Sequence, residues 1–198
     1  MVNAELGTTW TKRALDKNLL GLVYGNGLFV AVGDTILTSL DGASWTQRAL
    51  PTSNYLSGVA YGNGLFVAVG SNRTILTSPD GTNWTQRNSG GNDLRGVVYG
   101  NGLFVAVGDS GTLLTSPDGT TWTLRTSGTS DRLNGVTYGN GLFVAVGYSY
   151  LQGTILTSPD GATWTARTSG TSNSLNGVAY GNNTFVAVGD GATILTSP

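Results

Sequence analysis

One ten-residue stretch, Tyr-Gly-Asn-Gly-Leu-Phe-Val-Ala-Val-Gly, occurs at 24–33, 61–70, 99–108 and 138–147 and returns slightly altered at 180–189. A second stretch, Thr-Ser-Pro-Asp-Gly-x-x-Trp-Thr, alternates with it. The intervals between the leading tyrosines are 37, 38, 39 and 42 residues. A period in this range marks an array of one supersecondary unit, none of which can bury its apolar face alone.

The third unit illustrates the local structure. Leu94–Gly100 reads as a short strand A and Leu103–Gly108 as strand B. Asn101-Gly102 between them is the strongest short hairpin signal, because a type I′ turn needs positive φ at both positions. Residues 112–116 form strand C and 122–125 strand D. Between C and D, Pro117-Asp118-Gly119 makes a tight turn: Pro pre-sets φ, Asp bonds the backbone, and Gly takes the left-handed position. No segment has a helical period. Strand B is apolar on both faces, as expected of a sheet sandwiched between two others. A repeated four-stranded meander buried on both sides is a propeller blade.

Strands A, B and C occur five times, beginning near Leu19, Leu56, Leu94, Leu133 and Leu175. Strand D also occurs five times, at Trp10, Trp45, Trp84, Trp122 and Trp164, but the first D precedes the first A. The expected fold is therefore all-β: a single five-bladed β-propeller over residues 1–198 with four-stranded antiparallel blades. Its expected closure is 3+1, with the strand at Trp10 pairing beside Thr193–Ser197 and Leu6-Gly7 standing in the last C–D turn. Such closure hides the free edges of the end blades.

Composition narrows the chemistry. Cys and His are absent, which removes disulfides, thiolate chemistry, the usual zinc sites and imidazole bases. Charged residues make up 11% of the chain and the net charge is −1, with no basic stripe to attract nucleic acid. No apolar run approaches the length of a membrane span. The first residues lack the basic-then-apolar order of a secretory signal. The sequence assigns no location, and a piece of a longer exported or phage structural protein is compatible with it. No cofactor is expected, and no metal: Asp34, Asp109 and Asp190 share the slot after strand B, but they sit on blades 1, 3 and 5.

The turn Ser78-Pro79-Asp80-Gly81-Thr82-Asn83-Trp84 resembles the Asp-box of bacterial-neuraminidase-type propeller repeats, with Asp and Gly one residue closer than in that family. The same spacing holds at Asp41, Asp118 and Asp160. The resemblance implies a propeller of this broad class. It carries no activity, because the box is a structural turn remote from the sialidase active site. Sialidase-like catalysis would also need an arginine cluster and a tyrosine–glutamate pair, whereas Glu5 is the only glutamate. The whole unit is also similar to repeats of bacterial surface and phage structural proteins.

Most aromatics sit at fixed unit positions and read as inter-blade core. Tyr55, Tyr148 and Tyr150 lie outside the pattern, and the last two belong to the longest B–C loop. The arginine three residues after each Trp reads as a structural partner for a turn acid or a loop carbonyl. Arg73, Arg95 and Arg132 are unrepeated. Alternate turns of a blade lie at opposite ends, so the variable B–C and D–A connections share one face, and loops on a rigid scaffold are where binding residues usually lie. The residue before the strand A glycine varies as Leu20, Ser57, Arg95, Asn134 and Asn176 and is expected to ring the channel mouth on that face. Ser57, Arg73, Arg95, Asn134, Tyr148, Tyr150 and Asn176 are the candidate ligand-binding residues, and no residue is a catalytic candidate. The expected protein is a monomeric, non-enzymatic binding module for a carbohydrate or a protein loop, without nucleic-acid or membrane partners. Two other readings stand beside it: a ligand-free scaffold, natural or engineered by amplifying one blade, and, more remotely, a glycosidase.

Overall fold

The computed structural model describes residues 10–13 and 16–198, all β with a single short 3-10 turn at Asp109–Gly111. Blade 1 comprises β1 (Leu19–Gly25), β2 (Leu28–Gly33), β3 (Ile36–Ser39) and β4 (Thr46–Arg48). Blade 2 comprises β5 (Leu56–Gly62), β6 (Leu65–Gly70), β7 (Ile75–Ser78) and β8 (Thr85–Arg87). Blade 3 follows with β9 (Leu94–Gly100), β10 (Leu103–Gly108), β11 (Leu113–Ser116) and β12 (Thr123–Leu124). Blade 4 holds β13 (Arg132–Gly139), β14 (Leu142–Tyr148), β15 (Gly153–Ser158) and β16 (Thr165–Arg167). Blade 5 holds β17 (Leu175–Gly181), β18 (Thr184–Gly189) and β19 (Thr193–Ser197). Each blade is an antiparallel meander in sequence order. The A–B turns are the expected Asn-Gly hairpins, with φ near +50° at Asn26, Asn63, Asn101 and Asn140 and near +75° at the glycine that follows.

Cores form between blades, not within them. Val30, Val32 and Ile36 of blade 1 meet Val59, Phe66, Ala68 and Leu76 of blade 2, and Trp84 packs against this cluster. The pattern repeats between blades 2 and 3 with Trp122, and between blades 3 and 4 with Trp164. Strand B is apolar on both faces because one face serves the blade before and the other the blade after. The inner strands stack side by side through glycine: a Cβ at Gly58 would meet Gly96, one at Gly96 would meet Gly135, and one at Gly135 would meet Gly177.

The C–D turn is a side-chain-capped hairpin. In blade 2 the Asp80 carboxylate accepts from the backbone N–H of Thr82 (2.8 Å) and Asn83 (2.9 Å) and from the Ser78 hydroxyl (2.9 Å). The Trp84 indole N–H closes the turn onto the Gly81 carbonyl at 3.0 Å. Asp41, Asp118 and Asp160 repeat the arrangement. The arginines after Trp choose a different partner from the one expected. Arg48, Arg87, Arg125 and Arg167 each donate Nε to the strand C threonine hydroxyl ten residues upstream, at 2.8–2.9 Å, a diagonal cross-strand contact, since the register sets Arg48 opposite Ile36, two residues before Thr38 on the same face.

The 3+1 closure is not formed among the described residues. The last sheet has three strands, residues 10–13 lie in no strand, and Trp10 is 89% exposed. The Leu6-Gly7 turn lies outside the described residues. Gly177 has no glycine neighbour on its far side. Val188 and Ile194 are 46% and 68% exposed, whereas Val32 and Ile36 at the same places in blade 1 are fully buried. Among the described residues the five blades thus form an open arc.

Candidate functional site

Two sets of loops meet at one end of the blades. The residue after strand B donates its backbone N–H to the carbonyl just before strand A of the same blade: Ser71 to Tyr55, Asp109 to Asp93, Asp190 to Ser174. Gly111, in the B–C loop of blade 3, and Gly153, where the blade 4 B–C loop enters β15, donate to Asp131 and Thr171 in the following D–A connections. The face sharing expected of B–C and D–A loops is therefore hydrogen-bonded in place.

Strand A carries a bulge on this face in every blade, which the repeat pattern did not reveal. Leu56 pairs with Gly70 and Gly58 with Val69, leaving Ser57 as the extra residue. Leu20, Arg95, Asn134 and Asn176 hold the same position. A bulge bends the strand and re-aims one side chain. The sequence signal is the glycine that ends strand B. At Gly70, Gly108 and Gly147 a Cβ would collide with the carbonyl of Tyr55, Asp93 and Arg132, the residue before the leucine of strand A.

The bulge side chains form a row along the inner rim, and most are engaged. Arg95 makes a bidentate pair with Asp109, Nε and Nη2 each 2.9 Å from a carboxylate oxygen. Asn176 donates to Asp190 at 2.6 Å, the same pairing in blade 5. Asn134 reaches across to the Leu175 carbonyl of the next blade at 2.9 Å. Ser57 is half-buried. Arg73 is exposed in the blade 2 B–C loop with φ of 60°, and its carbonyl accepts from Ser89. The expected open collar is thus a partnered row, with Arg95 neutralised by Asp109.

The row borders a cleft of about 290 Å³ lined by Asp109 and Ser110 from blade 3, Ser130 and Asp131 from the D–A connection, Arg132 at the start of β13, Tyr148 at the end of β14, and Ser149 and Tyr150 from the long blade 4 loop. Arg132 approaches Asp109 at 3.5 Å, so one carboxylate is shared by two guanidinium groups. Hydrogen bonding to Arg95 holds the Asp109 carboxyl below its ordinary range, and Asp109 raises Arg95 in turn. Asp131 accepts the Thr154 hydroxyl at 2.6 Å. Tyr150 is fully exposed at the rim and Tyr148 is half-buried beside it. Of the sequence candidates, Tyr148 and Tyr150 line this cleft and Arg95 adjoins it through Asp109. Ser57, Arg73, Asn134 and Asn176 lie outside its lining. Arg132 and Asp109 also line the cleft without having been ligand candidates: Arg132 stands out in the sequence as unrepeated, whereas Asp109 shares its slot with Asp34 and Asp190 and so carries no such signal.

No protein-family model and no curated protein matches the sequence. Solved structures do. A structure described as YCF48 bound to D1 peptide superposes with a TM-score of 0.72 at 18% identity, over 92% of this chain and 63% of that one. YCF48 from Cyanidioschyzon merolae gives 0.70 at 18% identity, over 92% and 67%. The WD40 β-propeller domain of Doa1 gives 0.69 at 12% identity, over 91% and 65%. The chain thus spans about two thirds of each of these structures, and the likeness shows the fold they share with it: the β-propeller architecture.

Proposed function

We propose that the chain is a non-catalytic binding module that takes an extended segment of another protein in the cleft between the blade 3 and blade 4 loops. The observation that carries this is the placement of Tyr148 and Tyr150, the unrepeated aromatics, against Arg132 and Asp109 of the adjoining loops. Exposed tyrosines give contact area at low entropic cost, and an Arg–Asp pair fixes polar backbone or side-chain groups. Loops that differ from unit to unit on an otherwise repeated scaffold are the natural place for a specific site. The described peptide complex of one structural neighbour is a property of that protein, and it supports a propeller serving this purpose. The Asp-box-like turns belong to the same reading as structural hairpins on the opposite end. Both acids of the cleft are engaged, Asp109 by two arginines and Asp131 by Thr154, which supports a binding role there over glycoside cleavage.

The test is a display library of random peptides and a glycan array, each probed with the whole chain. Saturable peptide binding that falls at least tenfold in Tyr150→Ala and Arg132→Ala, with melting unchanged, is the expected result. A tenfold loss corresponds to about 1.4 kcal/mol. Glycan binding without peptide binding would assign the cleft to carbohydrate, and no binding to either would leave the scaffold reading.

A further inference from the structure

In blades 2 to 4 the Trp that opens strand D fills the outer part of the interface with the preceding blade. Between blades 4 and 5 no Trp belongs to the core cluster. In its place lies a cavity of about 430 Å³, lined by Leu142, Val144 and Ile155 of blade 4 and by Phe185, Leu195 and Pro198 of blade 5, among others. The vacancy is visible residue by residue. Ile155 is only half-buried where Ile36, Ile75 and Leu113 are fully buried, and Leu195 is half-buried where Leu76 and Leu114 are fully buried. Beside the cavity, β19 presents an unpaired edge, the geometry that accepts an added strand.

The repeat and its strand register point to the occupant. Every strand D in the chain reads Trp-Thr-x-Arg: 45–48, 84–87, 122–125 and 164–167. Residues 10–13, Trp-Thr-Lys-Arg, are a fifth such segment, and they lie in no strand. The register of β3 with β4 sets Thr38 opposite Thr46, Leu37 opposite Gln47 and Ile36 opposite Arg48. Transferred to β19, it sets Thr11 opposite Thr196, Lys12 opposite Leu195 and Arg13 opposite Ile194. The Trp10 indole then enters the cavity, and Arg13 meets the Thr196 hydroxyl as Arg48 meets Thr38.

We propose that residues 10–13 of a second copy of this chain fill the groove, so that two copies exchange their N-terminal strands. Within one copy Leu19 of β1 is only six residues on from Arg13, a span of at most about 21 Å when fully extended. Filling the groove from the same copy therefore requires blade 1 to come against blade 5, and the arc leaves these two blades apart. A second copy is under no such constraint. Reciprocal exchange covers both exposed edges with one self-complementary contact.

The chain has no cysteine, so single-cysteine variants report the pairing directly. Thr11→Cys and Thr196→Cys, mixed and mildly oxidised, should give a covalent dimer that neither gives alone. Wild-type sedimentation should show the mass doubling as concentration rises, and Trp10→Ala should weaken that association at least tenfold. A single-chain mass at every concentration, or a Thr11→Cys/Thr196→Cys double variant that cross-links only within one chain, would overturn the proposal in favour of self-closure. Failure of the mixed variants to cross-link while both remain folded by circular dichroism would overturn it outright.

Discussion

At the residue scale the repeated aspartates do the most local work. Each sits in a C–D turn where two backbone N–H groups and one hydroxyl point at a single carboxylate oxygen. Backbone hydrogen bonding from Thr163 and Ala162 holds Asp160 at about 2, and Asp41, Asp80 and Asp118 are held well below the carboxylate range for the same reason. The folded value lies below the unfolded one, so the charged form is the one that stabilises the fold. That contribution is complete above the unfolded value near 4 and is lost as pH falls toward 2. Thermal melting followed from pH 5 to pH 2 should therefore drop steeply at the acid end. Asp160→Asn keeps an accepting oxygen but cannot titrate, and it should remove one turn's share of that slope. An unchanged slope would mean that these hydrogen bonds survive protonation. Arg95 shows the opposite lesson about legibility. Its departure from the repeat was plain in the sequence, but its partner was not, because the bulge that aims it at Asp109 depends on a register between strands that periodicity alone does not fix.

At the scale of the element, the blade is held by what it presents to its neighbours. Strand boundaries were legible to within a residue or two because Asn-Gly and Asp-Gly punctuate the first four units. Residues 112–116 were expected as strand C, for example, and β11 runs Leu113–Ser116. The role of Trp was legible too: Trp84, Trp122 and Trp164 join the inter-blade cores. Trp84 also donates to the Gly81 carbonyl, so one side chain joins a turn to an interface. Trp84→Ala should lower stability by about 3 kcal/mol, at the lower end for such truncations because the ring is only partly buried. Chemical denaturation of the variant checks this. A change under about 1 kcal/mol would assign the interface to Val30, Val32 and Phe66 alone.

At the scale of the whole molecule, the number of blades was written in the repeats, but the arc was not. Curvature is set by how neighbouring blades lean on one another, a packing property to which each unit contributes only half. Counting strands suggested that a displaced strand D completes the last blade, yet the same count is met when that strand serves another copy. Glycine at the end of strand A distinguishes an open arc from a closed ring. At Gly25, Gly62, Gly100 and Gly139 a Cβ would fall within the tyrosine ring of the next blade, while at Gly181 it would meet nothing within 4 Å. Repetition alone would treat all five alike. Gly100→Ala should cost stability, because Tyr138 must shift from its tilted contact with Phe143, whose ring centroid lies 4.6 Å away. Gly181→Ala should leave melting unchanged, since no tyrosine abuts it in the arc. In a closed ring Tyr24 would occupy that place, and the two variants would then destabilise alike. Comparing their melting temperatures side by side reads the curvature of the molecule from two methyl groups.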